Sequence, residues 1–293
     1  MIYFSLLAIA EVPLNCLPDI INNVDNNILM NQAYDYTDLE KGIETITKNM
    51  NLVDNKVHID ANWFYMNEGQ SEEDIHKAIQ DANTNFDHNN MPLQFNLAFV
   101  KKINENDTLD QDDCNMQRDL YTKYGNSSKK VLNIFSGKMT ANNYAFSKFP
   151  QLGFNNTDGI YIGDMANSNV TLDEWQKILT HEIGHWLGLF HTYQGKGCSD
   201  PLNDYVNDTP VVDPNIRYQI QDKTKPYGIT NTIGRNWKCN TQTDTCPNQP
   251  GEDLTDNFMD FTNCRKSFTD GQRFRMMNFL YFRHFNKIPH LVS

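Results

Sequence analysis

The chain carries three histidines at a spacing that suits one metal ion. The residues from His181 to His191 read HEIGHWLGLFH. On an α-helix, His181 and His185 project their imidazoles from one face, one turn apart. Gly188 can adopt a positive φ and turn the chain sharply, which allows His191 to return to the same ion. Three protein ligands leave a fourth position open, as in a catalytic rather than a structural zinc site.

The glutamate inside this motif adds a base. Glu182 follows His181 directly, and a carboxylate there can polarise a zinc-bound water and take its proton. A bare HExxH also arises on ordinary helices as two surface histidines and a glutamate. The longer pattern, HExxHxxGxxH, is far more specific and is typically followed by a methionine turn. Met259 is predicted to form that turn, although a methionine alone more often fills a gap in a core.

Further stretches resemble the pappalysins, or cytophagalysins, a family of metzincin zinc proteases, and most closely its compact secreted fungal members. The matching stretches are Leu179–Thr192, Asp204–Pro210, Asp244–Pro247, Asn257–Phe261 and Phe268–Met276. The resemblance is dense from about Val131 to Met276. It implies an α+β fold, with an upper subdomain of twisted mixed sheet and two helices. Below a zinc cleft it implies an irregular, disulfide-stapled lower subdomain with a C-terminal helix.

The chain is predicted to divide into three regions. Residues 1–10 form a signal peptide, because Ile2 to Ala10 is nearly all apolar and ends in Ala8-Ile9-Ala10. No Lys or Arg precedes this run, so a buried first strand is the alternative. Residues 11–55, polar and rich in Asn, form a propeptide or N-terminal extension. Residues 56–293 form the catalytic domain, with its upper subdomain at 56–191 and its lower subdomain at 192–293.

Composition limits the partners. The net charge of −12 argues against a nucleic-acid partner, because phosphate binding needs a basic surface. No later stretch is apolar for long enough to span a bilayer. We therefore expect a secreted, extracellular monomer that acts on protein or peptide substrates and does not insert into a membrane.

Patterning predicts the elements that carry the motif. Strands are predicted at 57–66, 92–100, 130–135 and 159–162, and a helix from the Ser71 cap to about Phe86. Thr171 and Glu174 form a T-x-x-E capping box that begins the helix of the zinc motif. A C-terminal helix is predicted from Thr269 or Asp270 to about Phe285.

The six cysteines fit an oxidising compartment. The family resemblance implies two disulfides in the lower subdomain, Cys198–Cys239 and Cys246–Cys264. Two interpretations of the remaining pair are open. Cys16 pairs with Cys114, or Cys16 lies in a propeptide whose thiolate caps the zinc.

The loop after the third histidine also has two interpretations. Asp204, Asp208 and the oxygen of Thr209 offer hard ligands for a calcium ion, and the resemblance implies calcium near there. Alternatively, this is an Asp-rich turn stabilised by its own backbone hydrogen bonds. Sequons compatible with glycosylation occur at Asn106, Asn126, Asn155, Asn169 and Asn207.

Two positions depart from the family pattern. Phe261 stands where relatives usually carry a tyrosine that can approach the metal or the oxyanion, and Ile216 to Trp237 resembles an additional loop.

The predicted function is a secreted zinc endopeptidase in which Glu182 activates water and Met259 lies beneath the histidines. The loss of the tyrosine leaves an alternative, a zinc-bearing binding or inhibitory protein with little turnover. A purely structural zinc module gives Glu182 and the open position no role.

Overall fold

The computed structural model describes residues 39–285, apart from 49, 51, 106–107, 141–143, 151–156, 169, 195–196, 200–203, 215–242, 261 and 263. Its helices are α1 (Leu39–Thr47), α2 (Glu72–His88), α3 (Cys114–Tyr124), α4 (Met165–Ser168), α5 (Leu172–Trp186) and α6 (Asp270–Phe285). Its strands are β1 (Leu52–Val53), β2 (Lys56–Tyr65), β3 (Leu93–Lys102), β4 (Thr108–Leu109), β5 (Val131–Met139), β6 (Ala145–Ser147) and β7 (Ile160–Gly163). The predicted α+β class is confirmed. The predicted signal peptide, the additional loop and Phe261 lie outside the described residues.

The strands form one mixed sheet. β2, β5 and β7 are parallel neighbours, and β3 lies parallel to β2. β6 pairs antiparallel with β7 at the edge, and the short β1 and β4 pair with β2 and β5. Ser147, at the end of β6, donates its hydroxyl to the carbonyl oxygen of Glu182 at 2.7 Å. This bond ties the edge of the sheet to the helix that carries the zinc motif.

The two predicted helices of the upper subdomain pack on one face of the sheet. α2 begins at the predicted Ser71 cap, which also forms a capping box with Asp74, and α5 begins at the predicted capping box of Thr171 and Glu174. α2 packs against α5, and the amide of Asn85 donates to the hydroxyl of Thr180 at 2.9 Å. Residues of α6, among them Phe274, Met277 and Leu280, belong to the same apolar core as those of the motif helix.

α1 was not predicted as an element, since it falls within the region assigned to a propeptide or N-terminal extension. It packs on α6, and Ile43 and Ile46 belong to the main core. Gly42 lies against the ring of Phe274, where a Cβ atom would approach a ring carbon to 2.5 Å. The extension remains a prediction, but burial of α1 favours a boundary before Leu39.

The opposite face of the sheet is covered by α3 and carries a second, aromatic cluster. Phe135 and Phe146 stack on Tyr161, with ring centroids 5.2 and 4.8 Å away. Lys148 is 4% exposed, and its Nζ lies 5.7 Å from the centroid of the Phe146 ring. Burial lowers the pKa of Lys148 to about 8, because the apolar surroundings penalise the charged form.

We expect this lysine to make the protein more stable as the pH rises from about 8 to about 10. Across that interval Lys148 keeps its proton in the unfolded chain and releases it in the folded chain. Unfolding therefore takes up a proton, and the free energy of unfolding rises as the pH rises. Urea unfolding at several pH values measures the slope. Lys148→Met should remove most of it, whereas Lys77→Met, at an exposed position on α2, should not. Equal slopes in all three proteins would contradict the prediction.

Both predicted disulfides of the lower subdomain are wrong. Cys198 is joined to Cys246, and their Cα atoms lie 5.4 Å apart, so neither Cys198–Cys239 nor Cys246–Cys264 can form. The pairing depends on the tertiary structure, which places the segment around Cys246 beside Cys198. The side chain of Gln249 donates to the carbonyl oxygen of Cys198 at 2.9 Å. Cys114 and Cys264 are also disulfide-bonded. Cys16 and Cys239 lie outside the described residues, so the role of Cys16 stays a prediction.

Candidate metal centre and catalytic site

The zinc motif lies on α5 and the turn that follows it. The indole of Trp175 donates to the carbonyl oxygen of Gly163 at 2.8 Å, which fixes the start of α5 to the end of β7. Beyond the end of the helix, Gly188 has a φ of +90°, as its predicted turning role requires. The amide of Leu189 then bonds back to the carbonyl oxygen of Gly184 at 2.9 Å. The chain thereby reverses and brings His191 back beside the helix.

The three histidines converge on one point. The Nε2 atom of His185 lies 3.0 Å from that of His181 and 3.1 Å from that of His191, and the third separation is 3.2 Å. A zinc ion bound tetrahedrally at about 2.0–2.1 Å holds its nitrogen ligands about 3.3 Å apart. The donor set and its spacing therefore fit zinc. In the described part of the chain, this triad alone combines three His, Cys, Asp or Glu residues in such proximity.

Backbone carbonyls orient two of these rings. Nδ1 of His181 donates to the carbonyl oxygen of Phe258 at 2.6 Å, and Nδ1 of His185 to that of Leu189 at 2.7 Å. A proton on Nδ1 leaves the lone pair of Nε2 directed at the shared point. Burial, followed by the charges of His185, His191 and Arg265, lowers the pKa of His181 well below 6.5. The ring is therefore neutral near pH 7, as a metal ligand must be.

Glu182 lies beside this triad and is nearly inaccessible, with 4% of its surface exposed. Arg265 is buried nearby, and its pKa falls to about 10 because burial opposes its charge, while the charges of Asp260 and Glu182 partly offset that effect. The Arg265 guanidinium in turn favours the ionised form of these carboxylates. An ionised carboxylate beside three imidazoles can accept a proton from water.

Met259 lies directly beneath the motif helix. A Cβ atom on Gly184 would approach its sulfur to 2.6 Å, so only a glycine allows this contact. The amide of Thr192 donates to the carbonyl oxygen of Met259 at 3.2 Å, and the side-chain amides of Asn257 and Gln272 bond reciprocally at 2.7 and 3.0 Å. The predicted methionine turn is thus held between the third histidine and α6.

A family comparison decides the identity of this arrangement. The sequence model of the M43 peptidases, described as pregnancy-associated plasma protein-A, matches residues 110–281. That range is more than half of the chain and includes the whole metal centre. The chain belongs to this family, the pappalysins. The predicted family is therefore confirmed.

Individual relatives agree with this assignment. An extracellular metalloprotease of Verticillium alfalfae is 30% identical over 219 residues, which cover 70% of this chain and 69% of that protein. An extracellular metalloprotease of Neurospora crassa is 41% identical over 102 residues, but these cover only 34% of this chain and 28% of that protein. The match therefore spans less than a third of the Neurospora protein.

A solved structure supports the fold. Mature mirolysin of Tannerella forsythia, in complex with a cleaved peptide, superposes with a TM-score of 0.53. The superposition covers 77% of this chain and 92% of that chain at 20% identity. The predicted metzincin fold is confirmed.

The predicted calcium ligands of this pappalysin have other partners. The Asp204 carboxylate accepts hydrogen bonds from the Thr209 hydroxyl at 2.5 Å and the Val206 amide at 3.1 Å. Burial raises the pKa of Asp204 to about 7. The Asp208 carboxylate accepts bonds from the Thr269 hydroxyl at 2.6 Å and the Gly271 amide at 2.9 Å, at the start of α6. These contacts favour the turn interpretation and give Asp208 a capping role; the described residues give calcium no support.

Sequence reasoning missed the cationic residues around the centre, Arg265, Arg275 and Arg283. Each is at most 7% exposed, although arginines in a sequence ordinarily indicate surface. The stretch from Phe268 to Met276 was noted only for its resemblance and as the start of a helix. One signal in the sequence could have indicated their burial: Arg275 and Arg283 lie on the same face of α6 as the apolar Phe279, at steps of four residues.

Proposed function

We propose that this pappalysin is a secreted zinc endopeptidase that uses Glu182 as its general base. The observation that carries the proposal is the convergence of three imidazole Nε2 atoms within 3.0–3.2 Å of one another, next to a buried carboxylate on the motif helix. A structural zinc site would normally be closed by a fourth Cys or His, and no such residue joins the triad in the described part of the chain.

His181, His185 and His191 would hold the ion. A bound zinc ion supplies a Lewis acid that lowers the pKa of water and polarises the scissile carbonyl. Glu182 accepts the proton of the attacking water and then passes it to the leaving amine, so one carboxylate serves first as base and then as acid. Met259 packs beneath Gly184 and excludes water from the underside of the motif helix.

Three features support secretion. The relatives in Verticillium and Neurospora are named extracellular metalloproteases. Four described cysteines are disulfide-bonded, which an oxidising compartment favours. The apolar run from Ile2 to Ala10 fits a signal peptide. None of the described helices is long and apolar enough to cross a lipid bilayer. N-terminal sequencing of the secreted product would locate the processing site, which we propose lies before Leu39.

Incubation of the purified protein with a denatured protein substrate tests the activity. We expect cleavage that a zinc chelator abolishes and added zinc restores, with the cleaved bonds located by mass spectrometry. The alternative, a zinc-bearing binding or inhibitory protein, rests on Phe261 in place of the usual tyrosine. A protein that binds zinc stoichiometrically, yet leaves every unfolded substrate intact, would overturn the endopeptidase proposal and favour this alternative.

A further inference from the structure

Two arginines of α6 are buried against the turn that joins the second and third histidines. Arg275 is 0% exposed and Arg283 is 1% exposed. Phe279 lies midway between them, so the three side chains follow one face of the helix at successive steps of four residues. Burial of a guanidinium costs free energy unless its donors are satisfied. The acceptors of these two arginines therefore indicate what their burial achieves.

Arg283 binds the last residue of the motif helix. Its Nε and Nη2 donate to the carbonyl oxygen of Trp186 at 3.1 and 3.0 Å. Its guanidinium also forms a two-pronged ion pair with Asp158 at 2.9 and 3.0 Å and lies 3.7 Å from the centroid of the Trp186 ring. The indole of Trp186 donates to the same carboxylate at 3.2 Å. The Trp186 carbonyl, at the end of the helix, has no donor from a later helical residue. It is held instead by the Arg283 guanidinium, which is itself paired with the Asp158 carboxylate.

Arg275 and Phe279 bind the next part of the turn. Nε of Arg275 donates to the carbonyl oxygen of Gly188 at 2.8 Å. The ring of Phe279 lies so close to Gly188 that a Cβ atom there would approach a ring carbon to 2.3 Å. The guanidinium of Arg275 lies 5.0 Å from the centroid of that ring. One face of α6 therefore contacts the turn at both Trp186 and Gly188.

This turn reaches the metal centre through its backbone. The carbonyl oxygen of Leu189, the residue after Gly188, accepts the Nδ1 proton of His185 at 2.7 Å. Two residues further along the chain is His191. Movement of the turn would therefore tilt one imidazole and displace another, and the loss of partners that orient metal ligands typically costs 10–100-fold in metal affinity.

We propose that Arg275, Phe279 and Arg283 form an arginine clamp that positions His185 and His191 for zinc. The clamp residues are positioning residues, since they act through the backbone of the turn and do not touch the ion. The inference rests on the proposed function in one respect, that the histidine triad binds zinc. Lysine cannot replace either arginine fully, because an ammonium lacks the planar guanidinium. In Arg283 that fork reaches a carbonyl and a carboxylate together, and in Arg275 it lies by the Phe279 ring while Nε donates to a carbonyl.

Arg275→Lys and Arg283→Lys test the clamp, with Arg273→Lys as the matched control. Arg273 is on the same helix, is 6% exposed, and also donates to a carboxylate and a backbone carbonyl, those of Asp270 and Asn90. Its acceptors lie away from the turn. We expect the two clamp variants to lose about tenfold or more in zinc affinity by chelator competition. Their cobalt-substituted forms should show altered visible spectra, and the control should match the wild type in both measurements.

The clamp is overturned if all three variants lose similar thermal stability while keeping wild-type zinc affinity and cobalt spectra. If Arg283→Lys does not fold, Asp158→Asn gives the same measurements, because it removes the countercharge and keeps the shape of the side chain. Unchanged zinc affinity in Asp158→Asn would also overturn the proposal. Neither measurement needs turnover, so a zinc-binding but inactive wild type would refute the endopeptidase proposal and leave the clamp standing.

Discussion

Glu182→Gln should abolish nearly all peptide hydrolysis and leave zinc binding intact. The amide cannot accept the proton of water, and the loss of a general base typically costs about 10²–10⁴ in rate. The three histidines converge through their own helix and turn. The hydrogen bond from the Ser147 hydroxyl to the backbone carbonyl oxygen of residue 182 does not depend on the side chain at 182. Measured together, kcat on a peptide substrate and the zinc content per molecule separate the two effects.

Glu174→Gln provides the matched control. This glutamate is on the same helix two turns earlier, and its carboxylate caps the helix by accepting the Thr171 amide at 2.9 Å. An amide oxygen can still accept that bond, so we expect nearly unchanged activity. Wild-type turnover in a fully zinc-loaded Glu182→Gln protein would refute the assignment of the base.

Gly188→Ala should give the largest loss of stability among single substitutions in the motif. The backbone at this position has a φ of +90°, which an L side chain rarely adopts, and the added Cβ atom would approach the Phe279 ring to 2.3 Å. Strained backbone and overpacking each cost about 1–3 kcal/mol. We therefore expect the free energy of unfolding to fall by about 3 kcal/mol, with a loss of zinc affinity as His191 is displaced.

Gly197→Ala separates the two causes. Gly197 has a φ of +101°, but its nearest neighbour to a new Cβ atom is the Asp213 side chain at 3.3 Å. This control should show the backbone strain without the collision and without an effect on zinc. Denaturant unfolding and chelator competition on both variants give the comparison. Equal losses of stability and affinity in the two proteins would show that the approach of Phe279 to the turn has no special role.

Local sequence determined much of this protein. The spacing of three histidines, a glutamate and a glycine predicted the histidine cluster and the carboxylate beside it, because helical periodicity places His181 and His185 on one face whatever surrounds them. The capping boxes at Ser71 and Thr171 are complete within four residues each, so the starts of α2 and α5 could be predicted from the chain alone. The family resemblance supplied the class of fold.

Contacts between distant segments could not be predicted in the same way. The disulfide pairing was wrong because it depends on which loops meet in space, and the Cys198–Cys246 bridge closes a separation of 48 residues. α1 was not predicted as a helix, because it lies in a polar, Asn-rich stretch and its apolar residues find their partners on α6. The hydrogen bonds of Asp208 to the start of α6 could not be predicted either, because the two segments lie about 60 positions apart in the sequence.

The buried arginines show the difference most clearly. In the sequence, Arg275 and Arg283 are two charges on an ordinary amphipathic helix, which would normally face solvent. Only the tertiary structure brings Asp158 and the carbonyl oxygens of Trp186 and Gly188 to them, and such acceptors help to offset the cost of burying a guanidinium. The sequence by itself determined which histidines converge at the candidate metal centre, because they lie within eleven residues of one another. The tertiary structure decided what holds them in place, because that support comes from residues almost 100 positions away along the chain.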